Sequence, residues 1–330
     1  MISAADVACL PYTPDLSAGG IAYACRSLSH VLEGRTSALS HRLPRLVAAT
    51  AVELAFRRYL SDQGIPFDIR RAAPFTDADR FDVVLGGNRC EIRPYLISRG
   101  DQIAAIQADP GVILTAPALV PLDQHWLEGQ SGSDLFLFAF VTGRIAPSGR
   151  DVQQAVADDE PVFLIHPMPK AWSRPRSWLP LAPLVLKSDC RQPVWTEIGG
   201  QDSSREFLVR AMELQPRTRQ ELVDDFHSVS YLHVKSRPGG RLGVYSRSRG
   251  EIHLAGHSDW MNIWVDGLDI RLVGWTTRRN FHERATRVPE GSRVFQFSRT
   301  RTKNLAIPVS ELRPIRDLLD RVRNTRPYAG

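Results

Sequence analysis

The sequence has no long hydrophobic run, no paired cysteines and no leader-like start, and each absence excludes a class of protein. The longest apolar stretches, such as 135–141 (LFLFAFV), fall well short of the ~20 residues that a membrane-spanning helix needs. The first residues, MISAADVACLPYTPD, lack the basic region of a secretory signal. The four cysteines form no CxxC pair, which disfavours a disulfide framework or a structural zinc site: Cys9, Cys25, Cys90 and Cys190. We therefore expect a protein of the reducing cytoplasm.

Several catalytic and nucleotide-binding signatures are also missing. The chain contains no GxxxxGKS/T loop, no GxGxxG after a predicted strand and no GxSxG turn. Nothing in the sequence therefore favours nucleotide-driven chemistry or a serine hydrolase.

Lysine is scarce, and positive charge is unevenly distributed. The chain has 4 Lys and 38 Arg, as a GC-rich coding sequence would produce. Residues 201–330 hold 23 basic and 15 acidic side chains, whereas residues 1–200 hold 19 basic and 21 acidic ones. Coding bias explains the choice of arginine but not its concentration in one half. The asymmetry favours a polyanionic partner such as nucleic acid.

The pattern predicts a mixed α/β first half and a mostly β second half. Eight prolines between positions 147 and 193 predict a connector, which divides the chain into domains at 1–150, 151–195 and 196–330. The first part reads as α-β-β-β-α-β, with elements at 44–63, 67–71, 81–85, 89–93, 98–108 and 135–141. Pro44 and Gly64 suit the start and end of the first helix, and Ser98 suits the N-cap of the second.

The second part shows short strand-like segments separated by turns, followed by a helix at 312–323. The segments are SVSYLHV, RLGVYS, EIHLAG, MNIWV, IRLVGW and RVFQFS. Their spacing predicts an antiparallel sandwich or barrel.

Glu53 is an unusual residue on the first predicted helix. At 3.6-residue spacing it shares a face with Leu46, Ala49, Phe56 and Leu60. A carboxylate within an apolar stripe is costly unless a partner compensates it, which makes Glu53 a candidate site residue. The alternative is a helix that is apolar most of the way round, with Glu53 at a solvent edge.

A predicted hairpin places two carboxylates and a cation together. A two-residue turn at Gly87-Asn88 would put Asp82 opposite Arg93 and diagonal to Glu91, all on one face. Carboxylate oxygens suit a hard divalent cation. A three-residue turn would move Asp82 to the other face, and an ordinary salt-bridged exposed face is a further alternative.

The order of elements, with Asp82, Glu91-Ile92-Arg93 and the preceding Glu53, resembles the PD-(D/E)XK nuclease superfamily over residues 40–145. The resemblance implies that Asp82, Glu91 and the carbonyl of Ile92 hold Mg²⁺ or Mn²⁺, with help from Glu53. It implies metal-dependent hydrolysis of phosphodiester bonds.

The sequence departs from the family pattern at two positions. Phe81 stands in place of the proline, and Arg93 stands in place of the usual lysine. Arginine stays protonated at any physiological pH, so Arg93 is assigned to electrostatic stabilisation and the general base is left unassigned. This departure keeps a binding-only descendant open as an alternative.

The basic half offers candidate phosphate contacts. Arg299, Arg301 and Lys303 alternate after the predicted strand RVFQF and would form one cationic row, with Arg278 and Arg279 on a nearby turn. A solvated strand face is the alternative explanation for the row.

Three phrases in this half look similar to the SspB-type nickase component of single-strand DNA phosphorothioation systems, which act in antiphage defence. They are EIGGQDSSREF (197–207), HSDWMNIWVDGLDI (257–270) and TRTKNLAIPVSEL (300–312). This resemblance implies a DNA nickase acting on duplex DNA with other modification proteins, and a DNA-engaging second domain. A homodimer, a non-catalytic DNA-binding adaptor and an enzyme acting on RNA are left open.

Overall fold

The computed structural model describes residues 2–31, 39–69, 83–124 and 131–324. The chain forms two compact units, and both are discontinuous in sequence. Unit 1 comprises Met1–Gly19, Ala48–Arg144 and Gly267–Gly330, and unit 2 comprises Gly20–Val47 and Ile145–Asp266. This division differs from the predicted one, because residues 267–330 belong to the unit that contains residues 48–144.

The helices and strands are as follows. The helices are α1 (Pro14–Val31), α2 (Leu39–Asp62), α3 (Gly100–Ala108), α4 (Gly149–Ala157), α5 (Lys170–Ser173), α6 (Arg278–Arg284) and α7 (Ile315–Asn324). The first strands are β1 (Ala8–Pro11), β2 (Val83–Leu85), β3 (Asn88–Ile97), β4 (Pro117–Pro121), β5 (Leu135–Arg144), β6 (Leu164–Pro167), β7 (Leu184–Ser188) and β8 (Val194–Gln201). The others are β9 (Phe207–Leu214), β10 (Arg219–Leu222), β11 (Ser228–Val234), β12 (Leu242–Ser246), β13 (Glu251–Ala255), β14 (Met261–Asn262), β15 (Asp266–Thr277), β16 (Thr286–Val288) and β17 (Asn304–Pro308).

Unit 1 contains a mixed sheet in the order β1-β15-β5-β3-β2. Strands β3 and β5 are parallel, and α3 lies in the connection between them, whereas β2 and β3 form an antiparallel hairpin. The predicted hairpin, helix and buried strand are therefore confirmed. The same connection also contains β4, which the sequence did not predict and which pairs with β17 in a second sheet.

The hairpin turn lies one residue earlier than predicted. Gly86 and Gly87 form it, and both have a positive φ. A two-residue turn of this kind matches the right-handed twist of the flanking strands. Val84 consequently pairs with Arg89, whereas a turn at Gly87-Asn88 would pair Val84 with Glu91. The partner of Val84 shifts by two residues, which is an even number, so Val84 stays on the face of Glu91.

Two further predictions concern the ends of helices. Pro44 is predicted to start the first helix. Helix α2 instead begins at Leu39, so Pro44 lies inside it. Gly64 follows its end with φ of 62°, and Ile65 donates a 2.9 Å bond to the Leu60 carbonyl, which confirms the predicted glycine stop. Helix α3 begins at Gly100, with Arg99 and not Ser98 at its N-cap position.

Three other predicted elements have different outcomes. Of the predicted strand at 67–71, the described residues 67–69 show one bridge, between Asp68 and Val84. The predicted strand at 293–298 is instead a turn closed by Val294 and Phe297. The predicted helix at 312–323 is present as α7.

Unit 2 is built mostly of antiparallel strands, in sheets ordered β10-β7-β12-β13 and β14-β6-β11-β8-β9. Residues 151–195, predicted as a connector, instead contribute most of α4, all of β6, α5 and β7, and core side chains such as Trp172 and Leu186. Their prolines lie between elements or at the ends of elements, where a missing N–H costs no ladder bond. In the described ranges, no helix combines the length and apolar character required to cross a bilayer.

The left-handed stop at Gly64 gives a test of the fold. A Cβ at Gly64 or at Gly100 would meet no atom within 4 Å, but only Gly64 has a positive φ. Gly64→Ala should therefore cost about 1 kcal/mol and lower the thermal midpoint by about 2–4 °C. Gly100→Ala should leave it unchanged or higher, and equal midpoints for the two variants in thermal denaturation by circular dichroism would contradict the assignment.

Candidate functional site

A row of paired side chains lines one face of the unit 1 sheet. Alternate residues of a strand point to the same side, so three residues of β3 share this face with three phenylalanines of β5. Glu91 lies beside Phe136, Arg93 beside Phe138, and Tyr95 beside Phe140. The other face of β3 carries Cys90 and Ile92, which are buried. One end of an aromatic face is therefore charged.

Glu91 forms ion pairs with two arginines. Its Oε2 accepts a 2.7 Å bond from Nη2 of Arg278, and its Oε1 pairs with Arg93. Both guanidinium carbons lie over the Phe136 ring, at 4.3 Å for Arg278 and 5.7 Å for Arg93. The Glu91 side chain is 21% exposed, whereas that of Arg278 is 3% exposed. Two cations thus share one carboxylate, which leaves this triad with one net positive charge.

The start of α6 holds Arg278 in place. Its backbone N–H donates to the Asp134 carbonyl at 2.8 Å, and Arg279 donates to Gly132 at 3.0 Å. Thr277 caps the helix by accepting from Asn280 at 3.2 Å. The helix is therefore fixed to the segment that precedes β5.

An aromatic contact sets the orientation of α6. Phe281, one helical turn after Arg278, packs against Phe136 and Phe138 with ring centroids 5.4 and 6.0 Å apart. Residues three apart share a helix face, so the packing of Phe281 directs Arg278 toward Glu91.

Asp134 is a member of the site that the sequence reading missed. It is buried, and its carboxylate accepts from the backbone N–H groups of Ser131 at 2.7 Å and Arg89 at 3.3 Å. Burial lowers the pKa of Arg278, and the carboxylates of Glu91 and Asp134 oppose that shift. The only sequence signal was an acidic residue immediately before an apolar strand.

Glu53 makes no hydrogen bond or ion pair with this cluster among the described residues. Its carboxylate pairs with Arg57 on the next turn of α2, and no other ion pair or hydrogen bond of Glu53 occurs among the described residues. Glu53 is at the edge of a buried stripe that includes Val52, Ala55 and Phe56, which agrees with the solvent-edge alternative. Burial raises the pKa of Glu53 although Arg57 acts in the opposite direction.

The predicted metal ligands are only partly described. Asp82 and Phe81 lie outside the described residues, and Glu53 does not join Glu91. Within the described ranges, no group of three or more His, Cys, Asp or Glu side chains is arranged to hold a metal ion. The donors present are the Glu91 carboxylate and the backbone carbonyl of Ile92. Such a set fits only a cation like Mg²⁺ that keeps several waters and takes one or two carboxylates.

The predicted DNA contacts divide into one buried and four exposed residues. Arg278 is buried against Glu91, so the prediction of a surface turn is wrong for it. Arg279, Arg299, Arg301 and Lys303 are exposed. Residues 298–302 form an irregular loop and not a strand, in which Thr300 is buried and the two flanking arginines are exposed. All five belong to unit 1 and not to a separate DNA-engaging domain.

The buried ion pair gives a stability prediction. Glu91→Leu would remove the carboxylate that pairs with buried Arg278 and with Arg93, and should lower the free energy of unfolding by about 3–5 kcal/mol. As a control, Glu221→Leu removes an exposed pair with Arg247 and should cost less than about 1 kcal/mol. Urea denaturation of both variants measures this, and equal losses would show that Arg278 does not need Glu91.

The raised pKa of Glu53 predicts a pH dependence. The folded chain holds the Glu53 proton more tightly than the unfolded chain, whose glutamate has the ordinary value of 4.5. Stability contributed by the protonated form is therefore complete below that value and is lost as the pH rises through the higher folded pKa. The free energy of unfolding of the wild type should fall relative to that of Glu53→Gln from about pH 4 upward, and the difference should become constant above the folded pKa. The control Glu290→Gln, at an exposed position, should show the same pH dependence as the wild type. Urea denaturation at several pH values measures the difference in unfolding free energy between Glu53→Gln and the wild type. A difference that stays constant or narrows as the pH rises would contradict this.

The chain was also compared with known proteins, and no protein-family model, no curated protein and no solved structure matches it. The resemblance to PD-(D/E)XK nucleases therefore remains a prediction from the residues of this chain. Any functional conclusion depends on the geometry around Glu91.

Proposed function

We propose that the protein is a metal-dependent DNA endonuclease with its active site at Glu91 and Arg93. One observation carries the proposal: Glu91 and Arg93 lie side by side on a strand that leaves a hairpin and is followed by a helix and a parallel strand. The sequence resemblance associates this order of elements with phosphodiester hydrolysis. The grouping of Arg279, Arg299 and Arg301 in the same unit supports a polyanionic substrate.

The proposed metal ligands are Asp82, Glu91 and the carbonyl of Ile92, with Mg²⁺ or Mn²⁺ as the cation. When bound, such an ion lowers the pKa of a coordinated water and neutralises charge on a phosphate. The sequence resemblance also implies help from Glu53. The Glu53 carboxylate pairs with Arg57, so the proposal does not include Glu53 among the metal ligands.

Arg93 and Arg278 are proposed to stabilise the negative charge that develops on the scissile phosphate. Guanidinium groups form paired hydrogen bonds with phosphate oxygens, and arginine is a cation at physiological pH. Neither arginine can act as a general base. When DNA binds, phosphate oxygens would replace part of the contact that Glu91 makes with Arg93, the more exposed of the two. Glu91 would then be released toward a cation.

The finer assignment is a single-strand nickase that supports DNA phosphorothioation in antiphage defence. It is supported by the sequence resemblance of residues 197–207, 257–270 and 300–312. Its partners would be duplex DNA and the other proteins of the modification system, in the cytoplasm. One active site engaging a duplex at a time would cut one strand only.

A second candidate is a non-catalytic DNA-binding adaptor. The observation that favours it is the engagement of both Glu91 oxygens by arginines, which leaves no free carboxylate in the described part of the cluster. Such a protein would keep salt-sensitive DNA binding but would show no turnover with any metal.

Plasmid cleavage tests the two candidates. Supercoiled plasmid with Mg²⁺ or Mn²⁺ should give open-circle product, and EDTA should abolish it. Glu91→Gln, which keeps an oxygen for Arg278, and Asp82→Ala should each lower the rate by about 100-fold or more. Agarose-gel electrophoresis measures the products.

Glu290→Gln is the matched control because it makes the same change at an exposed position of unit 1, and it should cleave like the wild type. Linear product would retain the nuclease and exclude the nickase. Intact plasmid with salt-sensitive binding would establish the adaptor. Cleavage that both site variants preserve would place the active site elsewhere.

A further inference from the structure

A pocket of about 520 Å³ in unit 1 is lined by four arginines, and the Glu91 cluster does not include it. Its wall consists mainly of Arg99, Arg293, Arg299 and Arg301, with Phe297 and Ser298 between them. The four guanidinium groups around this depression give the pocket a positive electrostatic potential.

Protein carboxylates neutralise little of this charge. Arg99 pairs with Asp101 through its Nε at 3.1 Å and through Nη2. Arg293, Arg299 and Arg301 are exposed and make no hydrogen bond or ion pair with the rest of the described chain. Their donors are therefore available to an external anion.

The loop that carries these arginines is held by its own hydrogen bonds. Thr300, only 4% exposed, donates its N–H to the Ser292 carbonyl at 2.9 Å and its hydroxyl to the Pro289 carbonyl at 2.8 Å. Thr300 lies between Arg299 and Arg301 in sequence, so its burial directs both of them outward. Val294 and Phe297 close the other turn with bonds of 3.1 and 3.2 Å. A fixed loop loses little conformational entropy when its side chains bind.

This loop packs on the face of the sheet that carries Glu91. Phe297 contacts the ring edge of Tyr95 at a centroid distance of 6.1 Å, and Phe295 contacts Phe140 at 6.2 Å. Tyr95 and Phe140 continue the face of the sheet on which Glu91 and Phe136 lie. The pocket loop and the Glu91 cluster therefore lie along one face of the same sheet.

We propose that this arginine pocket binds backbone phosphates of a nucleic acid. The shared chemistry is a phosphate oxyanion held by guanidinium groups, which a free phosphate compound could also supply. The inference rests on the proposed function only in choosing nucleic acid as the source of the phosphate. Ser298 adds a hydroxyl donor that suits the same oxygens.

Salt-dependent binding tests the proposal without any cleavage. The probe is a labelled duplex of about 20 base pairs, followed by fluorescence anisotropy in EDTA across about 0.05–0.2 M NaCl. Arg299→Ala/Arg301→Ala should weaken binding and reduce the slope of log K against log salt by about two, one for each lost phosphate contact. The matched control, Arg287→Ala/Arg316→Ala, removes the same charge from exposed positions of unit 1 outside the pocket and should change the slope by less than one.

Equal slopes for the two double variants, or no change in either, would overturn the proposal. Calorimetric titration with pyrophosphate separates the two sources of phosphate: pocket-dependent binding of pyrophosphate, with duplex binding unaffected by the variants, would also overturn it. Failure of the proposed nuclease would show differently. In that case the wild type would not nick plasmid, yet duplex binding would still depend on Arg299 and Arg301.

Discussion

The buried ion pair between Arg278 and Glu91 is the constraint on which the charged site depends. It joins positions 187 residues apart and so ties the last segment of unit 1 to the β2-β3 hairpin. Burying a guanidinium that is 3% exposed destabilises the fold unless a carboxylate pairs with it. The capped start of α6, the backbone bonds of residues 278 and 279, and the packing of Phe281 all place this one cation. The aromatic row of β5 excludes water around it and strengthens each charge interaction.

Local sequence patterns predicted the local elements of this region well. A β-hairpin, a glycine stop at Gly64 and a buried strand at 135–144 each have a signal within a few residues. The prediction of the turn position was wrong because two overlapping residue pairs, Gly86-Gly87 and Gly87-Asn88, both tolerate positive φ. The choice between them depends on how the flanking side chains pack, which a local pattern does not contain.

The predictions that failed most clearly required distant contacts. Arg278 follows a strand and precedes Arg279, so the sequence presented it as one of two similar surface cations, yet one is buried and the other exposed. The prolines between 147 and 193 suggested a connector, but proline disfavours strand interiors and not strand ends. Residues 267–330 join unit 1 through β15 and β17, whose partners β1, β5 and β4 lie far away in sequence. No change in composition along the chain indicates that residues 267–330 pair with strands from the first half of the sequence.

The use of arginine in this face has a physical basis beyond coding bias. A lysine at position 278 would be drawn toward its neutral form by burial, whereas a guanidinium keeps its charge and lies flat over Phe136. At the other end of the same face, Arg293, Arg299 and Arg301 are exposed, and either cation would stay charged there. Coding bias can therefore account for the arginines of the pocket but not for Arg278. Arg278 must be arginine if the triad with Glu91 and Arg93 is to keep its net positive charge. Substitution of Arg278 by lysine is therefore a sharper probe of this site than the same change in the exposed loop.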